Sequence, residues 1–88
     1  MPTNNIETTI QDLTLLLLYL TSWTEQHDPT RRSWKGYTFE ALDALAQEGY
    51  IRNARGSKSA VVTDDGVAQA KRLLAEYGIP VEPREVGG

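Results

Sequence analysis

The sequence predicts a small α+β domain with the element order α-α-α-β-β-α, opened by a long N-terminal helix. Three observations lead to this prediction. Apolar residues recur at helical spacing near the N-terminus, and two short apolar runs enclose a basic loop that contains a glycine. A threonine followed by two aspartates then opens a last amphipathic segment. With 88 residues, the chain is expected to form one domain.

The first helix is predicted from Ile6 to about Thr24. One apolar stripe recurs at intervals of three and four residues and comprises Ile6, Ile10, Leu13, Leu17 and Leu20. Leu15, Leu18 and Tyr19 fall on the opposite side. Because a core this small covers only one apolar face, we expect the face with these three residues to contact a second copy in a homodimer. The alternative, in which the C-terminal helix and tail of the same chain cover that face, stays open.

A short helix, a glycine turn and an amphipathic helix are predicted next. Asp28 is a good N-cap for a helix over Pro29–Lys35, and Thr38 caps a helix over Phe39–Glu48. This order is a helix-turn-helix pattern, whose second helix enters the major groove of DNA. The outward side of that second helix is acidic here and carries Glu40, Asp43 and Glu48. Since DNA affinity comes largely from Lys and Arg, these acids argue against ordinary major-groove readout.

Two aromatic residues, Trp34 and Tyr37, flank Gly36 at the connection between these helices. Aromatic rings supply much buried area per residue, so both side chains are predicted to pin the connection onto the core. A role in stacking on nucleic-acid bases is the alternative.

A hairpin of two short strands, Tyr50–Arg52 and Ala60–Val62, is predicted around the loop 53–59. It carries three basic residues, Arg52, Arg55 and Lys58. In one interpretation, these side chains contact phosphates or the minor groove of DNA. In the other, they are charges of a solvated loop that protect edge strands from pairing with other chains. Both interpretations fit the sequence.

The last helix is predicted to begin after Thr63, its N-cap, with Asp64 and Asp65 complementing the helix dipole in the first turn. Gly78 ends this helix. The predicted domain therefore occupies residues 1–80, and residues 81–88 are predicted to form a flexible C-terminal tail.

Two strings in this region resemble known regulators. E-G-Y-I-R and V-V-T-D-D-G-V-A-Q-A-K-R-L-L are similar to the wing and last helix of MarR-type and PadR-type winged-helix proteins. In those families a leucine-threonine-acid-x-glycine string commonly opens the helix after the wing, and here Val62 replaces the leucine. The resemblance covers about residues 38–77 and implies a winged-helix fold and binding of DNA.

A second resemblance spans nearly the whole chain. The strings L-T-L-L-L-L-Y-L-T-S-W and R-R-S-W-K-G-Y, followed by the wing, are similar to a family of small bacterial proteins of unknown function. This resemblance implies no activity.

Residue usage argues against catalysis, metal binding and cofactors. The chain has no cysteine and one histidine, His27, in a predicted loop with no nucleophile near it. Since metal sites need several ligands, a zinc site is not expected. We therefore expect no enzyme activity and no cofactor. The absence of cysteine suits the cytoplasm, and the apolar run 15–20 is far too short to span a membrane.

The charge is unevenly distributed along the chain. The net charge is −3, yet residues 31–58 carry six Lys or Arg against three acids. The leading hypothesis is a nucleic-acid-binding domain, similar to transcription regulators, with DNA as its partner. Two groups of basic residues would contact neighbouring stretches of backbone, Arg31, Arg32 and Lys35 in one and Arg52, Arg55 and Lys58 in the other. The rival hypothesis is a winged helix that binds a protein partner through its acidic helix or its leucine-rich face.

Overall fold

Three helices pack on one face of a four-stranded antiparallel sheet in the computed structural model, which describes residues 5–54 and 56–80. The elements in chain order are α1 (Ile6–Leu20), β1 (Trp23–Glu25), β2 (Asp28–Trp34), α2 (Phe39–Gln47), β3 (Ile51–Arg52), β4 (Ser59–Val62) and α3 (Asp64–Glu76). The sheet order is β1-β2-β4-β3. The predicted α+β class is confirmed, whereas Arg55 and the predicted tail 81–88 lie outside the described residues.

Helix α1 begins and ends at residues whose side chains satisfy free backbone groups. The Asn5 side chain accepts a hydrogen bond from the Glu7 amide at 2.9 Å. At the other end, the Thr21 hydroxyl donates to the Leu17 carbonyl at 2.6 Å. The helix therefore stops earlier than predicted, because the chain after Thr21 turns into β1 and joins the sheet.

The segment Pro29–Lys35 was predicted as a helix, and this prediction was wrong, since the chain up to Trp34 forms β2. β2 pairs with β1 along one edge and with β4 along the other. Hydrogen bonding along both edges outweighs the local helix-start signal, and the Asp28 side chain accepts from the Thr30 amide at 3.0 Å within the strand.

The observed element order is therefore α-β-β-α-β-β-α instead of α-α-α-β-β-α. Within the described residues, a strand stands where the helix-turn-helix prediction required the first of its two helices. The winged-helix prediction depended on that helix and is not confirmed. One part of the predicted order is present in the structure, namely the β3–β4 hairpin followed directly by α3.

The side of helix α1 that was predicted to form a dimer interface faces the core. Leu15, Leu18 and Tyr19 are 1%, 0% and 2% exposed, so they cannot contact a second copy in this fold. They pack among residues of every other layer, including Leu42, Leu45, Ile51, Val62, Leu73 and Leu74. The opposite stripe is exposed instead, with Ile6 at 68%, Ile10 at 41%, Leu13 at 44% and Leu17 at 47%. Periodicity could not choose between the sides because both are apolar.

The two helix caps predicted around the hairpin are confirmed. Thr38 Oγ1 accepts from the Ala41 amide at 3.3 Å, and Thr63 Oγ1 accepts from the Gly66 amide at 3.0 Å. The Thr63 hydroxyl also donates to the Gly49 carbonyl at 2.6 Å. This second bond ties the start of α3 to the end of α2.

Helix α1 lies between the other two helices. The Tyr77 hydroxyl, at the end of α3, donates to the Asp12 carboxylate of α1 at 3.2 Å. Partial burial raises the pKa of Asp12, and this hydrogen bond opposes the shift. On the other side of α1, a shallow groove is lined by Ile10 together with Thr38 and Ala41 at the start of α2.

Candidate nucleic-acid interface

Strand pairing places two of the predicted basic residues in one row on the outer face of the sheet, the face away from the helices. Arg32 of β2 lies opposite Val61 of β4, and Arg52 of β3 lies opposite the same Val61 from the other side. Directly opposed residues in antiparallel strands point to the same face. The Cα atoms of the two arginines are therefore about 9.5 Å apart, which is two strand spacings.

Two tryptophans extend this row on the same face. Trp23 of β1 is paired with Arg32, and Trp34 lies two residues beyond Arg32 in β2. Their ring centroids are 4.9 Å apart with an interplanar angle of 39°. Trp34 is 64% exposed, so the prediction that it pins a connection onto the core was wrong. Tyr37 does pack against the core, as predicted.

Two lysines lie together at one end of the sheet, where β2 ends and β4 begins. The Lys35 amide donates to the Lys58 carbonyl at 3.2 Å, and Lys35 Nζ donates to the Ala54 carbonyl at 2.8 Å. These bonds bring Lys35 to the β3–β4 loop that contains Lys58 and Arg55. The structure therefore places Lys35 beside Lys58 of the hairpin, although the two groups were predicted to lie on separate elements.

Arg31 makes its side-chain contacts on the helical side of the sheet, although it also lines an open groove together with Arg52. Its guanidinium carbon lies 5.5 Å from the centroid of the Tyr19 ring, and its Nη1 donates to Ser22 Oγ at 2.7 Å. Both contacts are on the helical side of the sheet. Successive residues of a strand point to opposite faces, so Arg31 and Arg32 cannot share one stretch of nucleic-acid backbone as predicted.

Two acidic residues lie at the end of the sheet away from the lysines. Glu25 pairs with Asp28 at the β1–β2 turn, at the opposite end of β2 from Lys35. Hydrogen bonds from Thr30 lower the pKa of the Asp28 carboxyl, and the positive charge of Arg32 lowers it further. The acidic helix α2 lies on the other side of the sheet, where Glu40 and Asp43 are exposed. The acidic β1–β2 turn and the two lysines thus lie at opposite ends of β2.

An open groove adjoins the arginine row. It has a volume of about 570 Å³ and runs from Arg52 and Val61 past Thr30 to Thr63 and Asp64 at the start of α3. Its size falls in the range of small-molecule pockets, roughly 300–1,000 Å³. Arg52 is therefore accessible both from the outer face and from this groove.

A family model described as "Domain of unknown function (DUF6429)" matches residues 6–80, from the first residue of α1 to the end of the described chain. The chain belongs to this family. Its match confirms the predicted likeness to a family of unknown function and includes every element of the fold. No solved structure gives a significant match to the chain.

A relative of this DUF6429 chain is an uncharacterized protein, y4hR, of Sinorhizobium fredii (strain NBRC 101917 / NGR234). The two sequences are 37% identical over 69 residues, which are 77% of this chain and 86% of the relative. The relative is bacterial, as the predicted family resemblance implied. Among the described residues, no helix has the length and apolar character needed to cross a membrane.

The tryptophan pair is the part of this DUF6429 surface that the sequence analysis missed. Trp23 was assigned to the end of the first helix, and Trp34 to a helix before a glycine turn. A strand signal was present in the segment 30–34, where Thr30 and Trp34 alternate with other residues. β-Branched and aromatic residues favour strands. It could not be separated from the helix-start signal at Asp28 without knowledge of the partner strand.

Proposed function

We propose that this DUF6429 protein binds nucleic acid through the outer face of its sheet. The observation that carries the proposal is the pairing of Arg32 and Arg52 with one residue, Val61, beside the exposed ring of Trp34. Guanidinium groups bind phosphates in bidentate geometry, and aromatic rings stack on bases. Lys35 and Lys58 extend the positive charge at one end.

The proposed ligand is single-stranded nucleic acid. In a duplex the bases are stacked on one another, so a flat sheet surface cannot reach their faces with a tryptophan ring. A single strand can place a base on Trp34 while its backbone follows the arginine row and the lysines. The acidic helix α2, which a helix-turn-helix protein would place in the major groove, lies on the opposite side of the sheet and takes no part.

The local charge supports a salt-sensitive complex despite the net charge of −3. Arg32 and Arg52 put two cations in one row on the outer face, and the acids of α2 lie on the helical side. Each neutralised phosphate of a single strand contributes a slope of about −0.7 to the dependence of log K on log salt. We therefore expect binding that is measurable at low ionic strength and falls steeply as salt is added.

The first test compares two double variants with the same change in net charge. Arg32→Ala with Arg52→Ala removes the arginine row, whereas Lys71→Ala with Arg72→Ala removes two exposed charges from α3 on the helical side. We expect the first pair to weaken binding of a labelled mixed-sequence single strand by about tenfold or more and to reduce the salt slope by about 1.4. The control pair should change affinity by less than about twofold. Fluorescence anisotropy at several salt concentrations measures both quantities.

Trp34→Ala separates base stacking from charge. The variant keeps every Lys and Arg, so the salt slope should stay unchanged. Loss of the ring should weaken single-strand binding by about five- to hundredfold, the range for one base–aromatic stack, and should remove the preference for single strands over duplex. Because the chain has two tryptophans, quenching of fluorescence on binding can be assigned by comparison with this variant. No binding by the wild type at low salt, where charge contacts are strongest, would overturn the proposal.

The second candidate function is that of an interaction domain without enzyme activity. One observation favours it, the large apolar side chains that α1 exposes on the side away from the sheet. Binding through this surface would be nearly independent of salt, since no charge is involved. The two surfaces lie on opposite sides of the domain, so both functions are compatible with one fold.

A further inference from the structure

The exposed side of α1 is unlike the surface of a helix that faces water. Beyond Thr8, the exposed residues of α1 are all apolar and comprise Ile10, Leu13 and Leu17. Ile6 continues the same line toward the N-terminus. We call Ile6, Ile10, Leu13 and Leu17 the α1 stripe. Surface helices normally present charged or polar residues on this side, so the stripe is a candidate contact surface.

The spacing of the α1 stripe matches a second copy of itself. Its members are separated by four, three and four residues, and Leu20 follows three residues later at the half-buried end of the helix. Alternation of three and four is the seam of a coiled coil, in which each side chain inserts between four residues of an identical or similar helix. The two charged residues of α1, Glu7 and Asp12, are both outside the stripe, so the side chains that interlock along the seam are all apolar.

Two exposed aromatic residues flank the stripe and enlarge it. Phe39 opens α2 beside the groove that contains Ile10, and Tyr77 reaches α1 from α3 through its bond to Asp12. Phe39 is 72% exposed and Tyr77 44% exposed. Together with the stripe, they expose on the order of 600 Å² of largely apolar surface per protomer. Complete burial of two such surfaces would exceed the roughly 1,000 Å² that a specific interface needs.

We propose that the α1 stripe is a homodimer interface, occupied by the α1 stripe of a second copy related by a two-fold axis. Residues 81–88 contain two aliphatic side chains, Val81 and Val86, against the four of the stripe. Two-fold pairing is self-complementary, so one apolar line suffices for both protomers. The dimer leaves the outer face of each sheet free, since the stripe points away from the sheet.

Sedimentation equilibrium over a wide concentration range tests this interface. We expect the wild type to dimerise, and we expect Leu13→Glu with Leu17→Glu to raise the dimer dissociation constant by about a hundredfold or more, because four carboxylates would be buried. Thr8→Glu is the matched control, since Thr8 is exposed on the same helix outside the stripe and should shift the constant by less than about threefold. Circular dichroism checks that each variant is folded.

Cross-linking gives a second measurement, which does not use the glutamate variants and so does not depend on their stability. The chain has no cysteine, so a single introduced thiol reports on one position. With a short bis-maleimide, Leu13→Cys should form covalent dimers in high yield, and Thr8→Cys should form few. A wild type that stays monomeric at all concentrations would overturn the proposal. Equal yields from the two cysteine variants, or a Leu13→Cys thiol shielded within a monomer, would also overturn it.

Discussion

Replacing Leu18 with Ala is expected to lower the free energy of unfolding by about 2–5 kcal/mol, the range for deleting a fully buried leucine side chain. Leu18 is 0% exposed and lies in the core between the helices and the sheet. Truncation leaves a cavity that rigid neighbours, including Ile51 of the sheet, fill only in part. Urea unfolding followed by circular dichroism measures the change, provided that the slope with denaturant stays constant.

The neighbouring residue supplies a control of the same chemistry. Leu17 is 47% exposed, so Leu17→Ala removes a side chain that is already half in water. We expect it to cost about 1 kcal/mol or less when measured at a protein concentration low enough to keep the chain monomeric. Equal losses from the two variants would mean that α1 does not turn its Leu15–Leu18–Tyr19 side inward. That result would contradict both the core and the proposed dimer interface.

Gly66→Ala is expected to destabilise the domain by about 2–3 kcal/mol, although alanine is normally the better helix residue. A β-carbon at position 66 would overlap the carbonyl oxygen of Tyr50 and approach the Val62 side chain at 3.1 Å. The Tyr50 carbonyl accepts a hydrogen bond from the Thr63 amide at 3.0 Å. The backbone can therefore yield only by giving up that bond, which adds to the cost of overpacking.

Gly36→Ala is the matched control for this variant. A β-carbon at Gly36 meets nothing within 4 Å, and its φ is not positive. Alanine at this position should be neutral or slightly stabilising, because it restricts the unfolded chain. Thermal unfolding of the two variants in parallel gives the comparison. A Gly66→Ala protein as stable as the wild type would show that α3 does not approach Tyr50 as closely as the structure has it.

The two proposed surfaces have a common consequence if both are correct. Pairing through the α1 stripe places one outer sheet face on each side of the dimer. A long single strand that reached both faces would gain affinity from effective concentration without any new contact. A short oligonucleotide that spans only one face would not show this gain. We therefore expect the affinity of the wild type to rise with oligonucleotide length. In the Leu13→Glu, Leu17→Glu variant, this dependence on length should be weaker.

The caps and stops of α2 and α3 were predictable from the sequence because they depend on neighbouring residues. Thr38 and Thr63 bind amides three residues ahead, and Gly78 takes a positive φ at the end of α3. The hairpin between them was predictable for the same reason, since its two strands are joined by one short loop. The family likeness also lay in the sequence itself.

Only the tertiary structure decided the state of residues 29–35, the inward side of α1 and the composition of the candidate interface. β2 exists because Arg31 to Trp34 pair with Val62 to Ser59, a partner far along the chain that no local signal at Asp28 reports. The same pairing sends Arg31 inward and places Arg32 beside Trp34 on the outer face. Helix α1 has two apolar sides, and packing against the sheet selected the one with Leu18. Local rules settle where an element ends, whereas non-local contacts settle what it is paired with and which side it buries.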